Sequence, residues 1–120
     1  MGVVHHSNYV RYMEIGRIEW LDRHEQPYAR YVEQDLHFAT TRVEMDYYQG
    51  ARFDDVLEIA VWLDWVRAAS LRMCATISTG GTLLASGATE HALVDGSGRV
   101  RRLPKESREA FRKLAVRDSP

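Results

Sequence analysis

An α+β domain, with one long helix wrapped by an antiparallel sheet, is the fold this sequence predicts, and three observations carry it. From Ser7 to about His24 the apolar side chains recur at helical spacing. From Leu36 to Val94 four runs alternate with the period of strands. Turn signals stand between those runs, the strongest being Thr79-Gly80-Gly81-Thr82.

The elements follow in order. Ser7 or Asn8 caps the long helix. At 3.6 residues per turn, Tyr9, Val10, Tyr12, Met13, Gly16, Trp20 and Leu21 share one broad arc, with Arg11, Glu14 and Asp22 mostly opposite. A glycine at position 16 costs about 1 kcal/mol of helix propensity and is tolerated where a sheet packs closely against it. Ile15 and Ile18 fall outside the arc and point to a second apolar contact. Gln26-Pro27 interrupts the helix, and Tyr28 to Glu33 adds one further turn. Strands are predicted over Leu36–Tyr48, Val56–Val66, Ser70–Ser78 and Leu83–Val94, with turns at Gly50, at Asp54-Asp55 and at Asp95-Gly96-Ser97-Gly98. Val100 to Leu103 reads as a short strand, and Pro104 opens a final helix. Four strands in succession predict a meander whose inner face wraps the helix and whose outer face calls for a partner. No repeat or linker divides residues 1–120, which read as a single domain.

At 120 residues and 45% hydrophobic content the chain is large enough for one core and no more. A net charge of −1 gives no general argument for nucleic acid or an anionic membrane. Charge is uneven, however. Arg99, Arg101, Arg102, Lys105, Arg108, Arg112, Lys113 and Arg117 face only two acids, Glu106 and Glu109, so the stretch is either a solvated face or an attractor of anionic ligands. Cys74, the only cysteine, lies in an alternating apolar run and reads as a buried inert thiol. No secretory segment and no membrane-length apolar run appears, so the expected location is cytoplasmic.

The opening segment, Met1-Gly2-Val3-Val4-His5-His6-Ser7-Asn8-Tyr9, runs straight into the helical pattern. Backbone N–H groups at a helix start lack partners and the macrodipole favours negative charge there, so a developing oxyanion can be stabilised. His6 is the candidate donor at that point, against the plainer reading of a histidine that caps the turn. His5 points elsewhere, and two adjacent histidines with no third ligand nearby make no metal site. No Asp or Glu precedes His6.

These residues, with Tyr12-Met13-Glu14, Arg17, Tyr47-Tyr48 and Ala51-Arg52-Phe53-Asp54-Asp55, resemble the hotdog-fold acyl-CoA thioesterases, closest to the 4-hydroxybenzoyl-CoA thioesterase-like branch. The resemblance runs through Arg102-Leu103-Pro104. It implies a helix wrapped by a sheet, a homodimer or homotetramer with active sites at the subunit interface, and no metal or organic cofactor. It also implies a first strand ending in an Asp that acts as nucleophile or general base. In this sequence that Asp would fall just upstream of Met1, and the first strand is missing with it. Either the start is misplaced or the chain shortened, or the chemistry has been lost; the first reading is preferred.

By the same resemblance His6 offers its backbone N–H to the thioester carbonyl, while Val4, His5, Ser7, Asn8 and Tyr9 form the substrate-binding segment. Glu14, the nearest acid, is a substitute catalytic carboxylate, against an i,i+3 pair with Arg17. Ser70 binds the thioester from the partner subunit, or simply starts a strand. Arg52 and the basic stretch from Arg99 reach the phosphates of coenzyme A, or lie in solvent. Trp62 and Trp65 read as sheet-packing residues. The function so implied is hydrolysis of acyl-CoA to coenzyme A and a carboxylic acid. Its rivals are a noncatalytic acyl-thioester-binding protein or inactive paralogue and, lower, a hydroxyacyl-thioester dehydratase, whose proline-rich histidine motif this sequence lacks.

Overall fold

The computed structural model describes residues 6–24, 28–50 and 55–118. Helix α1 spans His6–His24 and α2 spans Tyr28–Glu33; the strands are β1 (His37–Tyr47), β2 (Glu58–Val66), β3 (Ser70–Thr79) and β4 (Thr82–Val94), followed by helix α3 (Lys105–Leu114). All strand pairs are antiparallel. One long helix lies across one face of the sheet, which is the hotdog arrangement.

The predicted arc is the buried face of α1: Tyr9, Met13 and Leu21 are buried, while Arg11, Glu14 and Asp22 are exposed. Gly16 meets β2 so closely that a Cβ there would lie 2.6 Å from Val61 Cγ2. Ile15 and Ile18 stay 49% and 40% exposed, as their place outside the arc requires. Beneath the helix, alternation along β3 sends Leu71, Met73, Ala75 and Ile77 inward. Two apolar clusters result. One gathers Leu21, Tyr31, Phe38, Leu63 and Phe111 toward the C-terminal end of α1; the other holds Tyr9, Ile77, Leu84 and Ala85 under its start.

Three sequence expectations need correction. The strand order is β1-β4-β3-β2, so β2, β3 and β4 form the meander but β1 crosses to pair with β4. Periodicity fixes which face of a strand is apolar and leaves its neighbour open; pairing with β4 sets Phe38 opposite Leu93 in the core. Residues 100–103 form no strand: Val100 makes one isolated bridge to Val94. The backbone of Leu103 instead donates to Ala68 O at 2.8 Å, tying the segment to the β2–β3 turn. Strand β2 begins at Glu58 rather than Val56, which is exposed. The final helix does open after Pro104, and its buried Phe111 stacks on Trp20 at 6.2 Å between ring centroids.

Beyond α3 the chain turns back along β2, where Val116 N–H donates to Leu63 O at 3.0 Å and Arg117 N–H to Asp64 O at 3.1 Å. That contact covers the outer edge of β2 near its end. Strand β1, by contrast, has a sheet partner on one side only among the described residues.

Candidate functional site at the start of helix α1

Helix α1 opens at His6, over the end of the sheet where β3 turns into β4, because Tyr9 packs on Ile77, Leu84 and Ala85. Tyr9 is fully buried, stacks on Tyr47 with centroids 5.6 Å apart and meets Tyr12 at 6.3 Å. Tyr9, with Tyr12 beside it on α1, therefore ties the first turn to Tyr47 of β1 and to the sheet beneath. The N–H groups of that turn lack intrahelical acceptors, and no acidic side chain occupies it. Such a turn is suited to stabilise negative charge that develops beside it.

The other predicted site residues divide clearly. Val4, His5 and Arg52 lie outside the described residues, as do the side chains of His6, Ser7 and Asn8, so only the backbone of the last three is placed, as the first residues of α1. Glu14 is exposed on the side of α1 away from the sheet. Arg17 reaches down to β4 rather than back toward Glu14, which corrects the expected pair. Ser70 does start β3, but at the far end of the sheet: it pairs with Ala92, itself opposite Ala39, whereas the first turn of α1 lies near Tyr47. One protomer thus keeps Ser70 and His6 apart.

A polar cluster under the middle of α1 went unread in the sequence. Arg17 Nη1 lies 2.9 Å from His91 Nε2 and 3.2 Å from Nδ1. The same ring touches Thr89 Oγ1 at 2.7 Å and Thr40 Oγ1 at 3.3 Å. A guanidinium only donates, so one ring nitrogen must keep its lone pair and the imidazole stays neutral. Burial, reinforced by the Arg17 charge, pushes the His91 pKa down to about 3. The signal that could have found it is parity: His91 shares the inward face of β4 with Ala85, Thr89 and Leu93.

On the opposite face of the sheet Arg72 donates to Glu44, Asp64 and Glu90, and Asp64 also accepts Arg117. These guanidinium partners hold the carboxyls of Glu44 and Asp64 below the usual range. Cys74 lies half-buried on this face, and burial pushes its thiol up, in keeping with an inert cysteine. Trp65 is buried there and carries Arg67 over its ring at 4.3 Å. Arg67, Arg112 and Arg117 line a cleft of about 350 Å³ together with Asp118, so part of the basic stretch converges. Arg101, from the same stretch, is instead taken up by Asp95 at 2.8 Å.

The same overall fold recurs in known proteins. A family model described as the Thioesterase-like superfamily matches residues 1–111. The chain belongs to that superfamily. It is 28% identical over 115 residues to the acyl-CoA thioesterase YbgC of Haemophilus influenzae, covering 94% of this chain and 85% of that one. Among solved structures it is similar to a hypothetical protein from Thermus thermophilus, at 31% identity and a TM-score of 0.89, over 98% of this chain and 88% of that one. It is also similar to a thioesterase complexed with coenzyme A and Zn from the same organism, at 29% identity and a TM-score of 0.80, over 97% and 84% of the two chains. Among the described residues no group of three or more His, Cys, Asp or Glu comes together to hold a metal ion, and no helix is long and apolar enough to cross a membrane.

Proposed function

We propose that this chain hydrolyses acyl-CoA thioesters, releasing coenzyme A and a carboxylic acid, at a site built on the first turn of α1. The observation that carries the reading is that turn itself: in a superfamily thioesterase fold, a helix start whose first N–H groups have no acceptor within the helix stands over the end of the sheet, with Tyr9 buried beneath it. In the proposed step the His6 N–H donates a hydrogen bond to the thioester oxygen and stabilises the negative charge that grows there as water, or an enzyme carboxylate, attacks the carbonyl carbon. The C–S bond then breaks and coenzyme A leaves as the thiol, its sulfur taking the proton given up by the water; if the carboxylate attacks first, that water hydrolyses the resulting acyl-enzyme anhydride to the carboxylic acid and supplies the same proton. Val4, His5, Ser7 and Asn8 line the thioester, while Tyr9, expected in that lining, is fully buried and supports the turn from beneath. The activating carboxylate is the one that the family resemblance places before Met1; Glu14, exposed on α1, is the alternative. Arg52 and the basic stretch reach the phosphates of coenzyme A.

The proposed assembly is a dimer, or a pair of dimers, built on the edge of β1 that has no sheet partner among the described residues. That edge is 11 residues long, and Val43 and Tyr47 leave apolar surface beside it, 47% and 39% exposed. Two copies joined antiparallel there bring the His37 end of one sheet to the Tyr47 end of the other. The partner subunit's Ser70 would then approach the first turn of α1, which answers the separation found within one protomer.

A longer chain that restores an upstream strand and Asp is the test. It should cleave acyl-CoA about 10²–10⁴ times faster than residues 1–120, the usual contribution of a positioned acid or base. Asp→Asn should return it to the shorter chain's rate. Full turnover by residues 1–120 that Glu14→Gln abolishes would transfer the role to Glu14. If neither chain cleaves a thioester while both bind one, the noncatalytic binding protein is the correct reading.

A further inference from the structure

We propose that Arg17 and His91 are positioning residues for the thioester site: their contact pins α1 to β4 and so fixes where the N–H groups of its first turn stand. This rests on the hydrolase reading above. The apolar contacts under α1 favour burial but have no preferred direction, so alone they leave small rotations and slides of the helix soft. A hydrogen bond is directional. Arg17 supplies one from the middle of α1, and the ring it meets is itself oriented from both sides, by Thr89 on β4 and Thr40 on β1. His91 has no exposed surface, so its ring cannot swing away without opening the core.

The lever arm makes this matter for catalysis. Eleven residues separate Arg17 from His6, about 16 Å of helix at 1.5 Å per residue. A helix is stiff over that length, so a tilt of about 5° about Arg17 would move the first turn by about 1.4 Å, and a misplacement of about 1 Å can cost on the order of 10²-fold in rate. The near side of the helix is already fixed in height by Gly16 against Val61, 2.6 Å from where a Cβ would sit. Gly16 sets how close α1 lies to the sheet; Arg17 and His91 set its rotation. Neither touches the thioester in this arrangement.

The test compares His91→Leu, His91→Gln and Arg17→Lys with Phe38→Leu, a core change on β1 whose ring packs edge-on against Tyr31 of α2, all in the active form of the protein. His91→Leu and Arg17→Lys should lower kcat at least tenfold on an acyl-CoA substrate with KM within about twofold. His91→Gln, which keeps an acceptor, should recover kcat to within about threefold. Phe38→Leu should lower Tm and leave kcat nearly unchanged. Hydrogen exchange reads the same contact without turnover: His91→Leu should raise exchange at least tenfold along α1 while β3 is unaffected. Unchanged kcat in His91→Leu, an equal loss in Phe38→Leu, or unchanged α1 exchange overturns the proposal. A wild-type protein that cleaves no thioester, with α1 exchange still responding to His91→Leu, overturns the hydrolase reading and with it the catalytic purpose of the pin, but leaves the pin itself.

Discussion

Gly16 is the residue at which helix propensity and packing disagree, and packing wins. An alanine there would gain about 1 kcal/mol of propensity. Its Cβ, however, would press on Val61 Cγ2, part of a β-branched side chain with little freedom to turn. Overpacking of that kind costs typically about 1–3 kcal/mol. Gly16→Ala should therefore cost about 1 kcal/mol of stability, read as a lower urea midpoint at unchanged slope, and adding Val61→Ala should restore part of it; a stabilised single variant would contradict the close approach. His91 makes a second residue-level prediction. Its folded pKa, about 3, lies below the ordinary 6.5, so the unfolded chain takes up this proton first as pH falls. The neutral ring's contribution is intact above pH 6.5 and drains away as pH drops from 6.5 toward 3, at up to about 1.4 kcal/mol per unit. Asp64, Glu44 and Asp95 have lowered values and act only at more acid pH, so the part of the slope between about pH 7 and pH 5 that a change at position 91 removes belongs to His91. His91→Gln should flatten that slope.

Elements were legible where one face had to be apolar. The arc of α1, the four strands and the helix after Pro104 follow from spacing, and so does the place of Ile15 and Ile18 outside that arc, where both are exposed. Neighbour choice was not legible: nothing in the alternation of β1 distinguishes pairing with β2 from pairing with β4. The site was legible only as a helix start. Arg17 read as the i,i+3 partner of Glu14, because spacing along one helix cannot reveal His91, which is 74 residues away. At the same scale, the stretch from Arg99 to Arg117 is partly spent on internal acids, Asp95 and Asp64, and partly gathered with Arg67 around a cleft. If Arg112 meets the phosphates of coenzyme A, affinity measured by calorimetry should fall as salt rises, because exposed charges are screened within about 8–10 Å. Arg112→Ala should weaken binding several-fold and lessen that salt dependence. Binding that ignores both salt and the substitution would return the stretch to solvent.

For the whole molecule the decisive quantity is the number of copies. The edge of β1, exposed Val43 and Tyr47, and Ile15 and Ile18 on α1 all leave surface that a second copy would cover. Sedimentation at micromolar concentration should give a dimer or tetramer. A clean monomer would remove the shared site and the role of Ser70 together. A charge on the β1 edge, such as Val43→Lys, should weaken assembly and activity in parallel, since neither α1 nor Ser70 is altered by it.

The crossing of β1 to β4 also orders events in time. Strands β3 and β4 close through Gly80 and Gly81, both at positive φ, over the shortest possible loop, whereas β1 must wait for a partner as far off as Val94 opposite His37. Local closure is fast and distant closure is slow. Substitutions in the Gly80-Gly81 turn should then slow refolding, while those on β1, such as Val43→Ala, should chiefly speed unfolding, which stopped-flow chevrons can separate. The strand that joins the sheet last is the one offered to a second chain, so assembly is coupled to the final step of folding.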